Sequence, residues 1–146
     1  MFRHLLKSLA FSLLIAPPAG VAHAEGPAHL DTRLDLKLAP DERAEFLKEM
    51  RQMLASVQGI MQGIGESDRG KIAESARLSG NRMARATPNA VRARLPQSFK
   101  DIGGPTHMMF EELAVRAETD EMDMIARDTG KLMNQCMTCH ATFRVQ

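Results

Sequence analysis

The chain has no tryptophan and no tyrosine, and it has only six phenylalanines and two cysteines among its 146 residues. Its net charge is also small, at +1 with histidine counted as neutral. A strongly basic or acidic balance would produce a field that attracts nucleic acid or a membrane surface. No such field is present, so neither kind of partner is indicated.

The two cysteines fall in one motif near the C-terminus, Cys136-Met137-Thr138-Cys139-His140. This C-x-x-C-H spacing is the attachment signature of a c-type haem. Two thiols can form thioethers with the two porphyrin vinyl groups, and the adjacent imidazole is a strong axial ligand for iron. Residues three or four apart share a helix face, so Cys136, Cys139 and His140 can all reach one macrocycle. The predicted cofactor is therefore one covalent haem c, a large group that suits a core poor in aromatic rings.

Other uses of the two cysteines fit less well. A dithiol redox motif is expected near a βαβ pattern, and nothing before Cys136 has that pattern. A structural zinc site needs four ligands, usually in two separated pairs, and the sequence offers no second pair. A disulfide between residues three apart on a helix has poor geometry, and it would leave His140 without a role.

Residues 1–24 have the pattern of a secretory signal peptide. A charged start with Arg3 and Lys7 precedes a short apolar stretch and a small-x-small cleavage site at residues 22–24. The apolar stretch is too short to span a membrane. Cleavage would leave Glu25 first, and removing Arg3 and Lys7 from the 19 basic residues leaves 17 against 18 acidic ones. We expect a periplasmic protein without stable membrane insertion, which agrees with haem attachment after export in bacteria.

The first two helices are predicted from apolar residues that recur every three or four positions. Pro40 suits the first turn of a helix that continues to Gly65. Ser67 or Asp68 can cap a second helix, which is predicted to run to about Arg85.

The rest of the chain predicts two more helices after a long connection. Residues 86–104 contain several prolines and glycines and are predicted to form a connection with one or two short helical turns. Pro105 is predicted to start the third helix, and Thr119 or Asp120 to cap the fourth, which carries the haem motif. No stretch has the pattern of a strand.

The predicted fold class is therefore all-α, an antiparallel up-down-up-down four-helix bundle with a C-terminal haem-attachment helix. The predicted organisation is a signal peptide at residues 1–24, an N-terminal arm at 25–39 and a haem-binding cytochrome domain at 40–146.

The chain resembles the class II cytochromes c, the group of cytochrome c-prime and its low-spin relatives. Its haem motif is C-terminal, and an aromatic and a basic residue, Phe143 and Arg144, follow the histidine as in that family. Met50 lies near the position where low-spin members keep their second axial ligand. One departure is Phe46, because many members have an arginine four residues before the axial position. The resemblance implies a periplasmic haem protein, often a homodimer, that carries single electrons.

The second axial ligand of the iron has several candidates. In an antiparallel bundle, Met50, Met53 and His107 would all lie toward the haem end, and the position can also be open. Met50 is the predicted metal ligand besides His140, although a methionine on an apolar helix face also serves as packing. For the haem propionates, Arg144 is the predicted cationic partner, because it is fixed one turn beyond His140. A second set of arginines, in or near the long connection, can also pair with the propionates, although ordinary solvation is their simpler role: Arg82, Arg85, Arg92 and Arg94.

Three functions are compatible with these features. The predicted one is a non-enzymatic electron carrier that serves redox partner proteins of the periplasm. The alternative is a five-coordinate haem protein that binds nitric oxide or carbon monoxide, as the high-spin members of the family do. A Met-rich copper-handling protein is a third, because thioethers suit Cu(I). However, the methionines follow helix faces, and only residues 122–124 form an M-x-M tract.

Overall fold

The computed structural model describes residues 30–146, so the predicted signal peptide and the first residues of the arm lie outside the described part. That part is mostly helical and confirms the all-α class. Its helices are α1 (Pro40–Glu66), α2 (Arg69–Leu78), α3 (Asn81–Ala86), α4 (Asn89–Arg94), α5 (Gln97–Arg116) and α6 (Met122–Thr142). Two short strands, β1 (Leu34–Asp35) and β2 (Phe143–Arg144), flank them.

Helix α1 has the start that its sequence predicts and ends one residue later than predicted. Pro40 occupies the first turn, and the Glu42 carboxylate accepts a hydrogen bond from the Ala39 N–H at 2.9 Å. At the other end, the Asp68 N–H donates to the Gly63 carbonyl at 2.8 Å, across Ser67 in the left-handed conformation. This turn reverses the chain within two residues, so α2 starts beside the end of α1.

Two predicted helix boundaries in the middle of the chain are wrong. The second helix does not continue to Arg85, because α2 ends at Leu78 and a separate α3 follows. The third does not start at Pro105, because α5 begins at Gln97 and continues through that proline. Proline removes one N–H donor, which leaves the Asp101 carbonyl without its helical partner. Asp101 is exposed, so water can satisfy that carbonyl and the helix tolerates the proline.

The predicted cap of the fourth helix is also wrong. Glu121 precedes α6 and makes no side-chain cap bond, whereas the Asp120 carboxylate accepts a hydrogen bond from Arg116 Nε at 2.6 Å. Asp120 therefore stabilises the end of α5 instead of the start of α6. The second arginine nitrogen, Nη1, lies 2.6 Å from the Asp128 carboxylate and links α5 to α6.

The strands form a parallel pair in which Leu34 faces Phe143 and Asp35 faces Arg144. The sequence did not predict this pair, because two residues are too few to show a strand's alternation. The pair belongs to a small second core, in which Leu36, Leu95 and Phe143 are buried. The larger core lies between α1, α2, α5 and α6, where Ile60, Ile72, Phe110, Ile125 and Leu132 are fully buried. No helix in residues 30–146 has the length and apolar character needed to cross a membrane.

Glycine allows α1 and α2 to approach each other closely. A Cβ atom at Gly63 would lie 2.7 Å from Ile72 Cγ1 and 3.1 Å from the Asp68 carbonyl oxygen. Because backbone atoms as well as a side chain block this position, the neighbours cannot all move aside.

We therefore expect Gly63→Ala to lower the free energy of unfolding by about 1–3 kcal/mol, the usual cost of overpacking. The matched control is Gly65→Ala in the same helix, where a Cβ would meet no atom within 4 Å. That control should leave stability unchanged or raise it by about 0.5–1 kcal/mol, because alanine favours helix. Chemical denaturation of both variants measures the difference, and equal stabilities would refute the close approach.

Candidate functional site

A large cavity lies between α1, α6 and the segment from α3 to α5. Its volume is about 520 Å³, in the range of pockets that hold cofactors and other small molecules. Most of the side chains that line it are apolar, among them Leu38, Phe46, Leu54, Val57, Val91, Leu95 and Phe99. The cavity therefore favours a ligand that is itself largely apolar.

The residues of the C-x-x-C-H motif lie on one wall of this cavity. Cys136, Cys139 and His140 belong to the last two turns of α6, and all three line the cavity. Both thiols are free and half-buried, and the Cys136 thiol points back toward the Leu132 carbonyl at 3.7 Å. His140 is more exposed than the two cysteines. The structure thus brings together the three residues that the sequence assigned to one macrocycle.

The end of α6 is held in place by contacts with the N-terminal arm. The Leu36 N–H donates to the Arg144 carbonyl at 3.0 Å, and Arg33 Nη1 donates to the His140 carbonyl at 3.3 Å. Phe143 is buried, with its ring edge-on to Phe99 at 5.4 Å between centroids. These contacts fix the backbone at and just beyond His140, so they also orient the last turn of the helix.

Burial raises the pKa of both thiols above the ordinary range. For Cys136, desolvation is the main cause. For Cys139, desolvation comes first, and the neighbouring Cys136 adds to it. Dithiol redox chemistry requires the opposite shift, because the thiolate is the nucleophile and reactive cysteines have lowered pKa values. The environment of these thiols therefore disfavours a dithiol role.

Two other helices that line the cavity carry the three candidates for a second axial ligand. Met50 and Met53 from α1 and His107 from α5 all line the cavity, and all three are half-buried. His107 Nδ1 lies 2.8 Å from the Ser79 carbonyl oxygen. A carbonyl can only accept, so Nδ1 carries the hydrogen and Nε2 of the neutral ring remains an acceptor.

Arg144 does not belong to the described wall of the cavity. It lies in β2 opposite Asp35, and its carbonyl accepts the hydrogen bond from Leu36. Among the four arginines in or near the connection, Arg85 and Arg92 line the cavity, whereas Arg94 forms an ion pair with Glu42. Arg82 lines an adjoining surface depression, which shares Glu45 and Glu49 with the cavity.

Lys100 is a lining residue that the sequence reasoning missed. It is half-buried in the first turns of α5, in a stretch that was predicted to be a connection. A residue cannot be assigned to the inner or outer face of a helix when the helix itself is not predicted. Lys100 could have been predicted to face the cavity only if the sequence had shown that α5 begins at Gln97.

Acidic residues lie on the α1 side of the cavity. Glu45 and Glu49 both line it. Desolvation raises the pKa of the Glu49 carboxyl, nearby Glu45 raises it further, and Lys48 opposes the shift. Desolvation and the neighbouring Glu45 thus already disfavour negative charge at Glu49, so the carboxylates of a ligand would avoid this side of the cavity.

Within residues 30–146, no three histidine, cysteine, aspartate or glutamate side chains form a group that could hold a metal ion. Comparisons of the chain with protein-family models, with curated proteins and with solved structures gave no match. The functional argument therefore depends on the geometry of the cavity and the chemistry of the residues that line it.

In haem-free protein that retains its helical circular dichroism, we expect both cysteines to alkylate with a higher apparent pKa than in the unfolded chain, because burial disfavours the thiolate. The pH dependence of the alkylation rate, followed by mass spectrometry in buffer and in denaturant, measures this. An apparent pKa below that of the unfolded chain would instead support dithiol redox chemistry.

Proposed function

We propose that this chain is a periplasmic c-type cytochrome that carries single electrons through one covalently attached haem. One observation carries the proposal: Cys136, Cys139 and His140 line the same apolar cavity as Met50. The lack of a ready-made metal-binding cluster among residues 30–146 is compatible with it, because a porphyrin brings its own nitrogen donors to the iron and needs only axial ligands from the chain.

The proposed fold is an up-down-up-down four-helix bundle in which α6 is the haem-attachment helix. Its support is a ring of helix contacts, since α1 packs against α2 and α6, and α5 packs against the same two helices. Arg69, at the start of α2, donates to the carbonyls of Ala117 and Asp120 at 2.8 and 2.7 Å. These two hydrogen bonds favour an arrangement in which the start of α2 lies beside the end of α5. Helices α3 and α4 would then form the long connection.

In this proposal Cys136 and Cys139 hold the haem through thioethers, and His140 is the proximal ligand. When bound, the haem supplies the iron that gains and loses one electron. The chain surrounds it with apolar side chains, which exclude water and reduce the reorganisation around the changing charge. The contacts of the arm with the end of α6 keep the His140 backbone fixed.

Helix lengths favour Met50 as the distal ligand. In the bundle, the end of α1 and the start of α6 lie at the same end. At 1.5 Å per residue, Met50 lies about 24 Å and His140 about 27 Å from that end, whereas His107 lies only about 14 Å from it. Met53 is the next candidate, at about 20 Å. His107 then lies at a lower level along the bundle than His140 and Met50.

The remaining parts of the proposal concern location and partners. Export depends on residues 1–24, which lie outside the described part of the structure. The partners would be periplasmic redox proteins, and a homodimer is compatible with the resemblance to the class II cytochromes c. Neither nucleic acid nor a membrane is a proposed partner.

We expect the exported protein to keep its haem through denaturation and acid-acetone extraction, because two thioether bonds hold it. The pyridine haemochrome spectrum and the intact mass should correspond to one haem with two thioethers. Cys136→Ala and Cys139→Ala should each remove one thioether or leave largely apo protein. Thr138→Ala, at the exposed position between them, is the control and should retain both. Free release of haem from the wild-type protein would refute the proposed function.

We expect oxidised wild-type protein to be six-coordinate and low-spin, with a thioether–iron charge-transfer band in the red part of the spectrum. Met50→Ala should abolish this band, lower the reduction potential and allow carbon monoxide to bind the reduced iron, because loss of methionine ligation opens the distal position. Met53→Ala is the matched control, one turn away on the same helix, and should keep the band.

Two outcomes would contradict Met50 ligation. If Met53→Ala alone loses the band, the ligand lies one turn further along α1. If the wild-type protein is already high-spin and binds carbon monoxide readily, the gas-binding function replaces electron transfer.

A further inference from the structure

The positive and negative side chains that line the cavity come from different helices. The positive ones, Arg85, Arg92 and Lys100, come from α3, α4 and α5 in turn. The negative ones, Glu45 and Glu49, both come from α1. The other titratable lining residues are the two histidines, on α5 and α6, and the two cysteines. We call the first set the cationic wall.

Arg92 of the cationic wall is held in a fixed orientation. Its Nη2 donates to the carbonyls of Ala84 and Thr87 at 3.1 and 3.0 Å, at the end of α3. A guanidinium has five N–H donors, so these two bonds leave three for an acceptor in the cavity. Part of the entropy cost of orienting the side chain is therefore already met.

Arg85 and Lys100 are cations without a carboxylate partner. Among residues 30–146, no carboxylate lies within ion-pair distance of either one, whereas Arg94 of the same segment forms an ion pair with Glu42. Lys100 is half-buried as well as unpaired. Positive charge gathered on one side of a largely apolar cavity is best satisfied by an anionic part of the ligand.

We propose that Arg85, Arg92 and Lys100 bind the two propionate groups of the haem and turn that edge of the macrocycle toward α3–α5, away from Glu45 and Glu49. This inference depends on the proposed function, because the propionates belong to the covalent haem. Guanidinium groups match carboxylates in a bidentate geometry, and an ammonium adds a point charge. The cationic wall thus replaces Arg144 as the site of propionate binding.

Binding by the cationic wall has two measurable consequences in the holoprotein. Cations close to a carboxylate favour its ionised form, so the propionates should ionise at lower pH than they do beside neutral side chains. Cations near the iron also favour the ferrous state, which carries one positive charge less than the ferric state. Loss of a cation should therefore lower the reduction potential.

The experiment compares Arg85→Gln, Arg92→Gln and Lys100→Gln with two matched controls, Arg82→Gln and Arg94→Gln. The controls remove the same charge from the same connection but lie outside the described lining of the cavity. Each holoprotein is titrated by NMR, which follows the haem propionate resonances directly, and by spectroelectrochemistry. The measurements are repeated at about 0.15 M salt, where the Debye length of about 8 Å screens remote charges.

We expect each cationic-wall variant to raise the pH at which a propionate ionises by about one unit or more. Its reduction potential should fall, and the fall should persist in salt. The controls should show neither change in salt. Because Arg92 also bonds the end of α3, Arg92→Lys is a second variant, and it should recover most of the potential through its charge.

Two results would overturn the inference. One is a propionate titration that is unchanged in both Arg85→Gln and Lys100→Gln. The other is an equal change in the control variants at 0.15 M salt. Failure of the proposed function is separate, because it would appear as wild-type protein without a covalent haem.

Discussion

The burial of Phe143 is the contact on which the rest of the candidate site depends. It ends α6 three residues after His140, and its ring packs against Phe99 of α5 and beside Leu36 of the arm. Three distant parts of the chain therefore meet at one side chain. Without it, the last turn of α6 would be held only by its helical hydrogen bonds and by the two hydrogen bonds from Arg33 and Leu36 of the arm, and helix ends fray readily.

The sequence predicts those parts of the fold that depend on local physics. The apolar face of α1, its start at Pro40 and its end near Gly65 follow from periodicity and from the preferences of helix ends. The errors lie where a competing interaction, exposure to water or a long-range contact overrides the local rule. Asp120 makes an ion pair with Arg116 instead of capping α6, and α5 continues through Pro105 because Asp101 is exposed. The β1–β2 pair joins residues far apart in sequence, and no local sequence pattern predicts it.

In the candidate site, too, the residues marked by a local sequence pattern could be predicted and the others could not. Cys136, Cys139 and His140 could be predicted because their spacing carries the chemistry, and Met50 because it lies on the apolar face of α1. Neither a motif nor an apolar pattern predicts the position of a charged residue, since a long polar side chain can turn toward a cavity or toward water. Arg144 stays a prediction, since it lies in β2 outside the described lining of the cavity, whereas Lys100, on an unrecognised helical turn, lines the cavity.

The parallel direction of β1 and β2 determines when in folding the two strands can pair. Parallel neighbours cannot be joined by a hairpin and need a crossover connection. Here the crossover is the whole helical domain between Asp35 and Phe143. The ladder can form only once those helices have brought its two halves together, and closure of so long a loop comes late in folding. Protection of the Leu36 amide from hydrogen exchange would thus report that the helices between the two strands have reached their final arrangement.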